Sequence, residues 1–163
     1  MSMRGLRSAV KSLPLLVRLL LLSAIALIVY TYLKNQTLNK AWASNMFNYF
    51  KSLGYSDLLC QCFVSQSAFE TNGWTSDVFK QYNNAFGMRT PDGSDYQVYN
   101  TVNESYDALA AWYNHRRNNL TSLPLYITNI SDYIDFIKNA DYFESDKSDY
   151  LAGCQRYFNQ LFT

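Results

Sequence analysis

The chain is 163 residues long and carries 14 Lys and Arg against 13 Asp and Glu, a formal net charge of +1, so bulk positive charge is not available to drive nucleic-acid binding. With 3 Trp, 14 Tyr and 10 Phe but only 6 Gly and 3 Pro, the composition excludes disordered and collagen-like chains. The charge is unevenly spread: residues 1–34 hold Arg4, Arg7, Lys11, Arg18 and Lys34 and no acid, so every acidic side chain falls in residues 35–163. The expected organisation is a basic cytoplasmic tail with a transmembrane helix over 1–34, followed by one folded domain over 35–163. The second part has the length of an ordinary domain and can bury a core without metal or disulfide staples.

From Leu13 to Leu33 the only charged side chain is Arg18. At ~1.5 Å per residue a helix of that length covers the ~30 Å hydrocarbon layer. Arg18 can snorkel to the headgroups, and Tyr30 and Tyr32 stand where interfacial aromatics belong. With Arg4, Arg7 and Lys11 ahead of the span, the positive-inside rule predicts a single-pass protein with a cytoplasmic amino terminus. The lipid bilayer is then a partner through residues 13–33, and the domain is periplasmic or extracellular, or faces outward from a virion membrane. A cleaved signal peptide fits less well, because the apolar run is long and YTYLKNQ offers no small-residue exit.

Trp42, Met46, Phe47, Phe50 and Leu53 recur at helical spacing before Gly54, a natural stop. A second helix is expected within 56–70, capped by Ser56 or Asp57, with Leu58, Leu59, Cys62, Phe63, Gln66 and Phe69 on a largely buried face that ends in Glu70. A loop with Gly73 and Trp74 leads to a short helical piece near Ser76, then to a turn-rich segment with small strands around Pro91-Asp92-Gly93 and Tyr96-Gln97-Val98-Tyr99. Three further helices are expected: one over about 104–118 capped by Asn103, one capped by Ser131, and one capped by Ser145 that runs close to residue 163. Cys60 and Cys62 are too close for an easy mutual bridge, so the thiols are either buried and free or one of the two joins Cys154. With His115 the only histidine and no Cys-x-x-Cys pair, no zinc site and no other cofactor is expected.

The glutamates are Glu70, Glu104 and Glu144. Glu104 suits the first turn of a helix, where negative charge complements the macrodipole. Glu144 stands among Asp141, Asp146 and Asp149 and reads as a solvated turn. Glu70 ends an apolar helix, where desolvation would raise its pKa as a general acid near neutral pH requires.

The runs Ser65-Gln66-Ser67-Ala68-Phe69-Glu70-Thr71, Gly73-Trp74-Thr75-Ser76 and Asn83-Asn84-Ala85-Phe86-Gly87-Met88-Arg89 resemble the glucosaminidase domains of glycoside hydrolase family 73. Those domains show a pattern similar to A-Q-A-x-x-E-S-G-W-G-x-S followed by N-N-x-F-G-[IM]-[KR]. Tyr96-Gln97-Val98-Tyr99 with Ser105-Tyr106-Asp107 is similar to the family's next segments, and Asn139-Ala140-Asp141-Tyr142 with Tyr150 to its A-G-Y-A-T-D-P-x-Y ending. The resemblance covers about residues 41–160. Thr71-Asn72-Gly73-Trp74 has one residue more than the family spacing between the Glu and the Trp.

The resemblance implies a lysozyme-like α+β domain, mostly α, with a short β-hairpin. It implies an enzyme that cleaves peptidoglycan glycan strands as an N-acetylglucosaminidase, with Glu70 as general acid. The family commonly draws a second carboxylate from the hairpin, where this chain offers Asp92 and Asp95; Asp95, which starts the YQVY segment, is the expected partner. Trp74 and Tyr99 are expected to stack on sugars or wall the pocket, Tyr96 to donate a hydroxyl hydrogen, Asn84 to support the loop, and Tyr142 to complete the substrate-binding set. If no second acid reaches the substrate, Glu70 acts alone, as in a lytic transglycosylase or a muramidase. A wall-binding or virion module without catalysis is the remaining reading, and the chain could serve a bacterium or a bacteriophage entering through the wall.

Overall fold

The computed structural model describes residues 14–119 and 126–163, with the side chains of residues 18 and 32–38 left out. The basic cluster Arg4, Arg7 and Lys11 and the side chains of Arg18, Tyr32 and Lys34 lie outside the described residues. Six helices are described: α1 Leu15–Ser52, α2 Asp57–Glu70, α3 Asp77–Tyr82, α4 Val102–Asn119, α5 Ile130–Asn139 and α6 Lys147–Phe162. The chain divides into two compact units, Met1–Leu38 and Asn39–Thr163, with the division inside α1.

Two expectations about fold class are corrected. Among the described residues no helix is long and apolar enough to cross a membrane, whereas the apolar run had predicted a span over 13–33. The run has no helix end of its own, because the helical backbone continues to Ser52 through a polar second half. Leu19, Leu20, Leu22, Ile25, Leu27 and Ile28 of the run are exposed.

The second correction concerns the β-hairpin: the described residues form an all-α fold, not α+β. Thr90 N donates to Asp95 O (2.9 Å) and Gln97 N to Met88 O (2.9 Å), flanking one antiparallel bridge between Arg89 and Tyr96. The ladder stops there. On the turn side Gly93 N takes the Thr90 carbonyl (2.8 Å) and Asp95 N donates to Thr90 Oγ1 (3.3 Å) in its place, and on the other side Tyr99 N turns away to Tyr82 O (2.9 Å) at the end of α3.

In the unit from Asn39 onward, α2 is the central element. Leu59, Cys60 and every residue from Cys62 to Ala68 are buried, as expected of a helix surrounded by others. Ser56 caps it, its side chain accepting from Leu59 N (3.3 Å). α2 packs against α5 and α6. The second half of α1 supplies Ala43, Met46 and Phe50, and Phe50 sits fully buried in an aromatic cluster, with ring centroids 4.7 Å from Phe63, 5.7 Å from Tyr106 and 6.2 Å from Phe86. Truncating such a residue to Ala typically costs about 3–5 kcal/mol.

Helix ends follow local chemistry with small shifts from expectation. α4 begins two residues early because Thr101 Oγ1 caps it, accepting from Glu104 N (3.3 Å), while Glu104 Oε2 accepts from Asn100 N (3.0 Å), the residue before the cap. Asn129, not Ser131, caps α5 by accepting from Asp132 N (3.0 Å), and Asp146, not Ser145, caps α6. Cys60, Cys62 and Cys154 are buried and free, and burial pushes the thiols up, to about 11 for Cys60 and about 12 for Cys62.

Candidate active site

Glu70 is the last residue of α2, and its half-buried carboxylate opens into a cleft of about 630 Å³. The walls come from four places: Ser76 and Val78 around the start of α3, the segment Phe86-Gly87-Met88-Arg89 with Tyr96, Trp112 of α4, and the loop Asp141-Tyr142-Phe143-Glu144 between α5 and α6. Residues distant in sequence thus converge on one carboxyl group.

Burial raises the pKa of Glu70 above the ordinary carboxylate value, and a hydrogen bond from Tyr150 partly opposes that rise. The Tyr150 hydroxyl donates to Glu70 Oε1. Its ring is held from two sides, stacked on Phe143 at 3.8 Å with planes 6° apart and edge-on to Phe69 at 4.9 Å. Phe69 in turn lies so close to α6 that a Cβ at Gly153 would overlap its ring. Lys138 fixes the loop that carries Phe143, donating to the carbonyls of Phe143, Glu144 and Ser145 at 3.1 Å each. On the other oxygen, a Cβ at Gly87 would stand 3.1 Å from Glu70 Oε2, and Gly87 has φ +61°. Both the backbone conformation and the close approach require glycine there.

The loop after Glu70 turns through three successive left-handed conformations, Asn72 (φ 50°), Gly73 (φ 66°) and Trp74 (φ 61°). For a bulky residue such as Trp this conformation costs about 1–2 kcal/mol. Trp74 is 2% exposed, and its indole N–H donates to Ser67 Oγ (3.0 Å), which donates to Ala85 O (2.7 Å). Thr71 Oγ1 accepts from Trp74 N (2.9 Å). The loop is therefore stapled both to α2 and to the Asn83–Arg89 segment.

Of the residues expected at the site, Glu70, Tyr96 and Tyr142 line the cleft together. Trp74 and Tyr99 do not. Both are buried, Tyr99 with its hydroxyl 3.5 Å from Met88 Sδ, so neither presents a face to a sugar. Asn84 is fully buried, donating to Met88 O (2.7 Å) and Gln97 O (2.9 Å) and accepting from Met88 N (3.0 Å). Asp95 is exposed and absent from the cleft walls; its carboxylate accepts from Tyr96 N (2.7 Å). Asp92 is engaged within its own turn by Thr90 and Ser94, which hold its pKa down at about 2.

The carboxylates that share the cleft with Glu70 are Asp141 and Glu144, which sequence reasoning had assigned to a solvated turn. Asp141 stands at φ +56° just past the end of α5, where helices usually take Gly. It occupies the glycine position of the motif to which Asn139–Tyr142 is similar, and that mismatch was the available signal. Tyr142 ties its loop to the opposing segment by donating to Phe86 O (2.6 Å), and burial raises its pKa, with the Glu70 charge adding to the effect. Tyr150 was visible in the motif but carried no assigned role. Among the described residues no group of three His, Cys, Asp or Glu side chains is arranged to hold a metal ion.

No known protein family, curated protein or solved structure matches the chain.

Proposed function

We propose that the protein is a peptidoglycan hydrolase of the N-acetylglucosaminidase type in which Glu70 is the general acid. The observation that carries this reading is a desolvated carboxyl group, with its pKa raised by burial, opening into the cleft. Buried carboxylic acids with raised pKa are what glycosidic-bond protonation requires at neutral pH. In the reaction the Glu70 proton passes to the glycosidic oxygen as the bond from that oxygen to the anomeric carbon breaks. Water then adds to the anomeric carbon and gives up a proton to a carboxylate in the cleft. Asp141 and Glu144 are the acids available to stabilise the oxocarbenium-like centre or to take that proton. The motifs around Glu70 and Asn84 support the choice of an amino-sugar polymer as substrate.

The exposed position of Asp95 favours one second reading, a lytic transglycosylase in which Glu70 works alone and the sugar's own hydroxyl displaces the leaving group. Mass spectrometry of fragments released from purified peptidoglycan separates the two. Reducing N-acetylglucosamine ends are expected. Anhydro-muramic ends establish the second reading, reducing N-acetylmuramic ends make the protein a muramidase, and a wall-binding protein that releases nothing contradicts the enzymatic reading altogether.

A further inference from the structure

Arg89 is the one cation among the described residues that line the cleft, which otherwise carries Glu70, Asp141 and Glu144. Its guanidinium lies over the Tyr96 ring, 4.5 Å from the centroid. The two residues are also paired through the backbone as the single antiparallel bridge among the described residues. That bridge is rigid: Gln97 N donates to Met88 O (2.9 Å), and the Asn84 side chain spans the carbonyls of Met88 and Gln97 from below. A guanidinium resting on an aromatic face keeps its N–H edge free for a planar acceptor. No protein carboxylate takes that edge, since the ion pairs among the described residues are Lys51–Asp57 and Lys147–Asp135.

We infer that Arg89 is a specificity residue that pairs with a carboxylate on the muramyl arm of the glycan, and so distinguishes peptidoglycan from a neutral N-acetylglucosamine polymer. This inference rests on the proposed function of the cleft. Asp141 and Glu144 disfavour an anionic substituent on their side of the cleft and Arg89 attracts one, so the same contact that adds affinity also fixes which sugar lies on which side of Glu70. The carboxylate can be the lactyl group of a bare muramyl sugar or an acid of its stem peptide; both present two coplanar oxygens suited to a bidentate pair.

The test measures binding by calorimetry to the full chain carrying Glu70→Gln, with and without Arg89→Gln. The ligands are N-acetylglucosaminyl-N-acetylmuramic acid, the same disaccharide with its stem peptide, and chitotetraose. Arg89 is exposed, so its replacement leaves the fold intact. Arg89→Gln should weaken at least one muramyl ligand about tenfold and leave chitotetraose within about twofold, and the difference should shrink as salt is raised. Loss with the bare disaccharide assigns the lactyl group; loss only with the peptide-bearing one assigns the stem. Equal losses for muramyl ligands and chitotetraose, no loss, or no binding of either muramyl ligand to the Glu70→Gln parent overturns the inference. Failure of the wild-type chain to cleave peptidoglycan refutes the proposed function instead, and the binding contrast still reads Arg89.

Discussion

The hydroxyl of Tyr150, on α6, donates to Oε1 of Glu70, at the end of α2, and the Tyr150 ring is clamped between Phe143 and Phe69. The hydrogen bond favours the ionised carboxylate while burial disfavours it, and burial is the larger effect. Replacing Tyr150 by Phe removes the opposing contribution, so the Glu70 pKa rises further. A general acid is active while protonated, so the alkaline limb of the kcat/KM profile should move to higher pH in Tyr150→Phe, together with a loss of rate from poorer orientation of the carboxyl. An alkaline limb that stays in place or moves down contradicts this assignment of Tyr150.

Gly87 faces the other oxygen of Glu70. Gly87→Ala places a methyl group 3.1 Å from Oε2 on a backbone that disfavours L side chains. The backbone strain alone costs about 1–2 kcal/mol, which thermal unfolding reads as a lowered Tm, and the displaced carboxyl should lower kcat well beyond what the loss of stability explains. Unchanged Tm and kcat would show that the close approach in the structure is not present in solution.

Ser67 joins three segments, accepting from the Trp74 indole and donating to Ala85 O, all in the buried interior. Ser67→Ala leaves the Trp74 N–H and the Ala85 carbonyl without this partner, an expected loss of about 1–3 kcal/mol by urea unfolding. In a double-mutant cycle, Trp74→Phe in the Ser67→Ala background should cost less than Trp74→Phe alone, because the orphaned donor is removed with the indole. Strict additivity would show that the two side chains are not coupled.

The helices were legible from the sequence because their signals are local. Apolar spacing on 57–70 and the Ser56 cap mark α2, and the Glu70 position follows from where that apolar face ends. At the site, Glu70, Tyr96 and Tyr142 were legible from the motifs that contain them, and all three line the cleft. Trp74 adjoins Glu70 along the chain, yet the left-handed turn at 72–74 carries its ring into the core. Asp141 and Glu144 reach the cleft, and Tyr150 reaches Glu70 itself, through the packing of α2 against α5 and α6, which no spacing rule encodes. The hairpin failed for a countable reason: Gly93 N takes the Thr90 carbonyl and Tyr99 N turns away to Tyr82 O, which leaves one bridged pair among the described residues. The apolar run before Lys34 gave a strong compositional signal but not the element boundary, because helical backbone continues past it to Ser52.

The central claim is that Glu70 supplies the proton, and the most direct measurement is the rate of peptidoglycan cleavage by Glu70→Gln beside the wild-type chain, with thermal unfolding of both. The amide keeps the shape and can still accept from Tyr150 but cannot donate an acidic proton, so turnover should fall by about 10²-fold or more while Tm is retained. Undiminished turnover in a folded Glu70→Gln chain would contradict the account.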